Sequence, residues 1–138
     1  MLIKQISIFM ENKFGKLANV VEILAKNNID IQALTMADTT DFGILRVIVD
    51  DTEKGAKALR DEGLIVKVTD VIGVGIDDVP GGLSKVLSLL KENGISVEYM
   101  YAFTGKDDSE HASVVMKVDK KDIAIDVFLQ NDIPSKRK

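Results

Sequence analysis

The sequence predicts an α+β fold, a βαββαβ unit with four antiparallel strands and two helices on one face, built twice in tandem. Three observations carry this. Ile72, Val74 and Ile76 alternate at the period of a half-buried strand. Leu83, Val86, Leu87 and Leu90 follow at the spacing of an amphipathic helix. The same stretch also stands earlier in the chain: a shift of 66 positions carries Gly15 onto Gly81, Leu17 onto Leu83, Val20 onto Val86, Leu24 onto Leu90 and Ile29 onto Ile95. Upstream, Ile6, Ile8 and Met10 fall on Ile72, Val74 and Ile76. Downstream the register resumes at a shift of 69, with Leu45, Val47 and Val49 on Val114, Met116 and Val118, so a small insertion lies around Gly105–Ser109. A repeat of this length with matching periodicity implies duplicated domains, residues 1–68 and 69–138.

In order, Leu2–Met10 is the first strand, Glu11–Gly15 a turn and Lys16–Asn27 the first helix, stopped by Asn27-Asn28 because asparagine tolerates the left-handed conformation. Ile29–Ala37 and the β-branched run Gly43–Val49 form the next two strands. Thr52 is placed to cap a short helix that Gly63 ends, and Leu64–Val68 is the fourth strand, running into the second copy with almost no linker. The second copy has a helix over Pro80–Asn93, strands over Ile95–Phe103 and Glu110–Val118 around a polar loop, and a last helix over Asp119–Gln130. Only Ile133 precedes Pro134 after it, so the last strand is short or absent and Ser135–Lys138 is expected to fray. Ser7, Gly73 and Gly75 fall on the sheet face away from the helices, beside Ile44, Ile48 and Val115. Arg46 and Lys117 share that face, so it is either covered by a partner or carries ordinary scattered surface apolar residues, and the two glycines allow another backbone to approach closely.

Composition narrows the function. In 138 residues the chain carries 46% hydrophobic residues, ample for a core, while each half is small enough to need further packing. With no cysteine, disulfide frameworks, thiolate nucleophiles and most zinc sites are excluded, which fits a cytoplasmic setting. No run approaches the roughly 18–20 apolar residues of a membrane span, and the start enters a strand pattern without a signal-peptide core. The net charge of −4 opposes a nucleic-acid surface. No serine or threonine sits in a nucleophile elbow, and Gly73-Val74-Gly75 lies inside a strand rather than at a strand-to-helix turn, so neither hydrolase nor dinucleotide chemistry is indicated. His111 is the single histidine, and a metal role for it would need several carboxylates to converge. Tyr99, Tyr101 and Phe103 alternate onto one face as RNA-binding sheets require, but the third strands carry no aromatic residue and the charge is acidic, so these rings are expected to pack.

The chemistry concentrates at the turn before the second copy's first helix. Pro80 suits a first helical position, and Gly81 and Gly82 leave that turn bare, with backbone N–H groups facing outward. Such a helix start favours a small anion such as a carboxylate, while Asp78 beside it can hold a cation; a zwitterion satisfies both. In the first copy Asn12 offers only an amide oxygen, Lys16 helps a carboxylate but opposes an ammonium group, and Phe14 adds a ring able to fill a pocket. If these turns bind a zwitterion, the Asp78 turn should be the stronger site, and the alternative is that Asp78 serves only as a favourable charge at the helix terminus.

These residues resemble a known family. Asp78-Val79-Pro80-Gly81-Gly82-Leu83 carries in full the N/D-x-P-G-x-L motif of the ACT domain, a ferredoxin-like βαββαβ module, and Asn12-Lys13-Phe14-Gly15-Lys16-Leu17 departs from it only at Phe14. The segment Ile95–Phe103 is similar to the second strand of small tandem ACT proteins. The resemblance implies an amino-acid-binding regulatory protein, not an enzyme and without a cofactor. Its ligand would lie between paired domains beside the strand–helix turns, with Met36 and Tyr99, Met100, Tyr101 and Ala102 contributing from the second strands. It further implies a free-standing sensor whose partners are a free amino acid and a separate metabolic enzyme. The domains are expected to share an extended sheet and the chain to form a homodimer. An interaction module that works without ligand would use the same fold.

Overall fold

The computed structural model describes residues 1–11, 13–38, 41–105 and 111–136. Asn12 and residues 106–109 of the expected polar loop lie outside them. The element order is β1 (Leu2–Glu11), α1 (Lys16–Lys26), β2 (Ile31–Asp38), β3 (Phe42–Val49), α2 (Thr52–Asp61), β4 (Ile65–Asp77), α3 (Gly82–Glu92), β5 (Val97–Ala102), β6 (His111–Val118) and α4 (Lys121–Gln130). The fold is the predicted repeated βαββαβ, with antiparallel strands and the helices on one face. Two compact units result, Lys4–Asp70 and Met1–Ile3 together with the chain from Val71 onward.

In the first unit the strand order is β2-β3-β1-β4. Ile6 pairs with Val47, Ile8 with Leu45 and Met10 with Gly43, which puts the alternating apolar residues of β1 and β3 on one face. There they meet Val20 and Leu24 of α1 and Ala56 and Leu59 of α2 in a single buried cluster. The second unit, ordered β4-β6-β5, builds the same cluster from Ile72, Val74, Val114, Met116 and Val118 under Val86, Leu90, Ala124 and Phe128. Even polar details repeat: Asp50 Oδ1 accepts from the Asp30 N–H at 3.0 Å, and Asp119 Oδ1 from the Ser96 N–H at 3.0 Å.

Several expectations are corrected. The fourth strand of the first copy and the first strand of the second are one continuous element, β4. The α2 cap is Asp51, whose side chain accepts from the Lys54 N–H at 3.2 Å, while Thr52 is buried as the first helical residue. Both residue types can cap; the carboxylate one position earlier takes the role. Asp119 serves Ser96 rather than opening α4, which begins at Lys121. β3 starts one residue early, at the exposed Phe42, which adds an aromatic residue to a strand expected to lack one.

After α4 the last strand is present in the shorter of the two expected forms, and only the expected fraying is corrected, since the segment is seated as far as Lys136. Ile133 is buried in the second cluster, the Gly75 N–H donates to Pro134 O at 2.8 Å, and the Lys136 N–H donates to Gly73 O at 2.9 Å. Ser135 forms an antiparallel bridge with Val74, so these residues act as a short fourth strand. Met1 O takes the Gly73 N–H at 2.8 Å, completing that edge. The close backbone approach expected at the glycine pair is met here: a Cβ on Gly73 would lie 2.8 Å from Lys136 O, and one on Gly75 would lie 3.3 Å from Pro134 Cβ. On the same face Val115 and Tyr101 are buried. In the first unit Gln5, Ser7, Ala33 and Ile48 are buried on the face away from the helices, with Gln5 Nε2 donating to Ser7 Oγ at 3.2 Å.

Candidate functional site

The turn between β4 and α3 is built by Val79-Pro80-Gly81-Gly82. The Gly82 N–H donates to Val79 O at 3.0 Å, and Gly81 is left-handed at φ 87°, ψ −6°. This is the geometry of a type II turn, with proline at its second position and glycine at its third. Pro80 therefore does not open the helix as expected. It presets the turn two residues earlier, a place its fixed φ suits equally well. Gly82 meets a second constraint: a Cβ there would overlap the carbonyl oxygen of Asp77, and the carbonyl carbon lies 3.0 Å away. The end of β4 and the start of α3 thus meet backbone to backbone.

The first copy closes the same way, with the Lys16 N–H donating to Lys13 O at 3.1 Å and Gly15 at φ 80°, ψ −8°. Phe14 takes the proline's place and is fully exposed. A further bond, Lys13 N–H to Glu11 O at 2.9 Å, tightens this turn, and Lys16 carries a side chain where the second turn admits none. Lys13 Nζ and Glu11 Oε2 are 2.7 Å apart. Their hydrogen bond, then their charges, hold the Glu11 carboxyl below its ordinary range and the Lys13 ammonium above its own.

The Gly82 N–H expected to face outward is thus taken by its own turn, as is the equivalent Lys16 N–H in the first copy. Neither helix has a side-chain cap, which leaves the next residues, Leu83 and Ser84 or Leu17 and Ala18, to present outward N–H groups. Asp78, Val79, Pro80 and Gly81 are exposed around the second of these helix starts, as is much of Leu83. Leu83, Ser84, Leu87, Ser88 and Lys91 line an open depression of about 370 Å³ along α3. A second, of about 480 Å³, lies between α3 and β5 and shares Leu87 and Lys91 with the first; it reaches Met100. Leu87 and Lys91 were not among the expected site residues. Their signal was the half-exposed flank of the helix, one and two turns beyond Leu83.

The second strands divide the remaining candidates. Met100 and Ala102 pair with Met116 and Val114, which places them on the helix side, whereas Tyr99 and Tyr101 pair with Lys117 and Val115 on the opposite face. Tyr101 is buried there, and Lys136 Nζ lies 5.1 Å from the Phe103 ring centroid. In the first unit Met36 pairs with Leu45 on the helix side, its tip above Gly43, where a Cβ would overlap it. His111 Nε2 lies 3.7 Å from Oδ1 of Asp77, its cross-strand partner. Among the described residues no three metal-ligating side chains converge, and no helix is long and apolar enough to cross a membrane.

Comparison with known proteins agrees with this architecture. Protein BT0572 from Bacteroides thetaiotaomicron is 45% identical, with a TM-score of 0.90 over 97% of this chain and 91% of that one. The ligand-free regulatory subunit of aspartate kinase from Thermus thermophilus shares the fold at 16% identity, with a TM-score of 0.60 over 94% of each chain. The corresponding subunit from Thermus flavus, at 17% identity, gives a TM-score of 0.56 over the same shares. No curated protein gave a match. The family model for an ACT domain pair matches residues 1–135, and the chain belongs to that family.

Proposed function

We propose that this protein is an amino-acid-binding regulator, with residues 1–68 and 69–138 as its two ACT copies, and that its stronger ligand site is the β4–α3 turn. The observation carrying the proposal is that turn: an uncapped helix start behind Gly81 and Gly82, with the Asp78 carboxylate beside it. The ligand's carboxylate sits on the Leu83 and Ser84 N–H groups, where the helix dipole favours negative charge. Its ammonium group faces Asp78, and its side chain runs along Val79, Leu83 and Leu87. Met36, Leu17 and Phe14 serve the weaker equivalent at the β1–α1 turn, with Asn12 in place of the carboxylate. A paired ACT domain from a second copy closes over the ligand, so the working form is a homodimer. The protein works in the cytoplasm without cofactor or catalysis, passing the ligand signal to a separate metabolic enzyme. The fold shared with subunits described as regulatory supports this direction. A thermal-shift screen against the standard amino acids tests the reading. The ligand at a hundred times its dissociation constant should stabilise the fold by about 2.7 kcal/mol. No shift with any amino acid would point instead to a ligand-independent interaction module, which the exposed Phe14, Leu17 and Phe42 would suit.

A further inference from the structure

The edge of β4 at Gly73–Gly75 has the features of a strand-binding groove. It offers the Gly75 N–H and the Gly73 carbonyl in one line, 2.8 and 2.9 Å from Pro134 O and the Lys136 N–H. Neither glycine carries a side chain to obstruct an approaching backbone, and any Cβ at Gly73 would meet one. At one end lies an apolar socket in the second core cluster, filled by Ile133. At the other the Phe103 ring receives the Lys136 ammonium. Backbone pairing supplies affinity in such a groove, and the end pockets set register and sequence preference.

We propose that this edge is a peptide-binding site whose resident occupant is the segment Ile133–Lys136, and that it accepts the same segment in trans from a second copy of the chain. Its ligand class is an extended peptide that adds antiparallel to β4, with an aliphatic residue followed three positions later by a cation. The spacing is fixed by the strand rise between socket and ring. The inference does not depend on amino-acid binding elsewhere. Exchange is governed by competition: the resident segment lowers the apparent affinity for an incoming one by the fraction of time the groove is open.

The test uses a fluorescent peptide of residues 133–138 with the native chain and the full-length variant Lys136→Pro, which loses both the backbone donor and the ammonium group. Fluorescence anisotropy should show the peptide binding the variant about tenfold more tightly than the native chain. A peptide carrying Lys136→Pro should fail to bind either. A second variant, Ile133→Asp, expels the whole segment, and the native peptide should raise its melting temperature. Equal binding to native and Lys136→Pro chains, no binding to either, or no rise with Ile133→Asp would each overturn the proposal.

Discussion

Gly82→Ala sets two effects against each other at the proposed ligand turn. Helix propensity alone predicts stabilisation, because glycine inside a helix is about 0.8–1 kcal/mol less favourable than alanine. The packing predicts the opposite, since the new Cβ would overlap the Asp77 carbonyl oxygen and press on its carbon. Overpacking costs about 1–3 kcal/mol, and the upper part of that range applies here because both obstructing atoms are backbone. The net expectation is a loss of about 1–2 kcal/mol, visible as a lower urea midpoint at unchanged slope. Gly81→Ala is the control: nothing lies within 4 Å of its added Cβ, but the left-handed φ of 87° remains. It should cost about 1–2 kcal/mol through conformation alone, and asparagine there should cost less. The two can be told apart by ligand response, because Gly82→Ala must move α3 against β4 whereas Gly81→Ala need only reshape the turn. A Gly82→Ala chain as stable as the native one, or more stable, would refute the backbone-to-backbone contact.

Other expectations follow from the core and the surface. Phe128 is fully buried at the centre of the second cluster, so Phe128→Ala should destabilise by about 3–5 kcal/mol in denaturant titration. The Lys117 ammonium is hydrogen-bonded to Glu98 at 2.8 Å, which holds it above the ordinary lysine value. Because the folded value is the raised one, this contribution is present below the unfolded lysine pKa of about 10.4 and is lost as pH rises through the folded value. Nitrogen NMR of the Lys117 Nζ should show that titration moving down in Glu98→Gln; an unmoved curve would mean the pair is not formed in solution.

Most of the fold was legible because two periodicities and their repetition agree. Ile6, Ile8 and Met10 against Ile72, Val74 and Ile76, with Leu24 and Leu90 at the same helical position, leave one arrangement in which all are buried together. The turn was only half legible. Pro80 is compatible with both a first helical position and the second position of a type II turn, and only the Gly82 N–H bond to Val79 O decides between them. The reason for Gly82 lay out of reach of sequence, since it depends on where the Asp77 carbonyl falls in space. The seating of Ser135 and Lys136 was not legible because proline, serine and lysine carry no strand period. The repeat nevertheless contained the clue: the shift of 69 lays Ile133 on Leu64, a residue packed against the first cluster. Leu87 and Lys91 line both depressions along α3, a placement that depends on how α3 meets β5 and that helical spacing alone does not give.

The central claim is that a free amino acid binds at the β4–α3 turn with its ammonium group on Asp78, and calorimetry on single variants tests it most directly. With the amino acid found by thermal shift, Asp78→Ala should weaken binding by about 1.5–3 kcal/mol, the usual worth of a hydrogen bond to a charged group. Asn12→Ala, at the weaker turn, should cost less. Unchanged affinity in Asp78→Ala together with complete loss in Asn12→Ala would contradict the assignment.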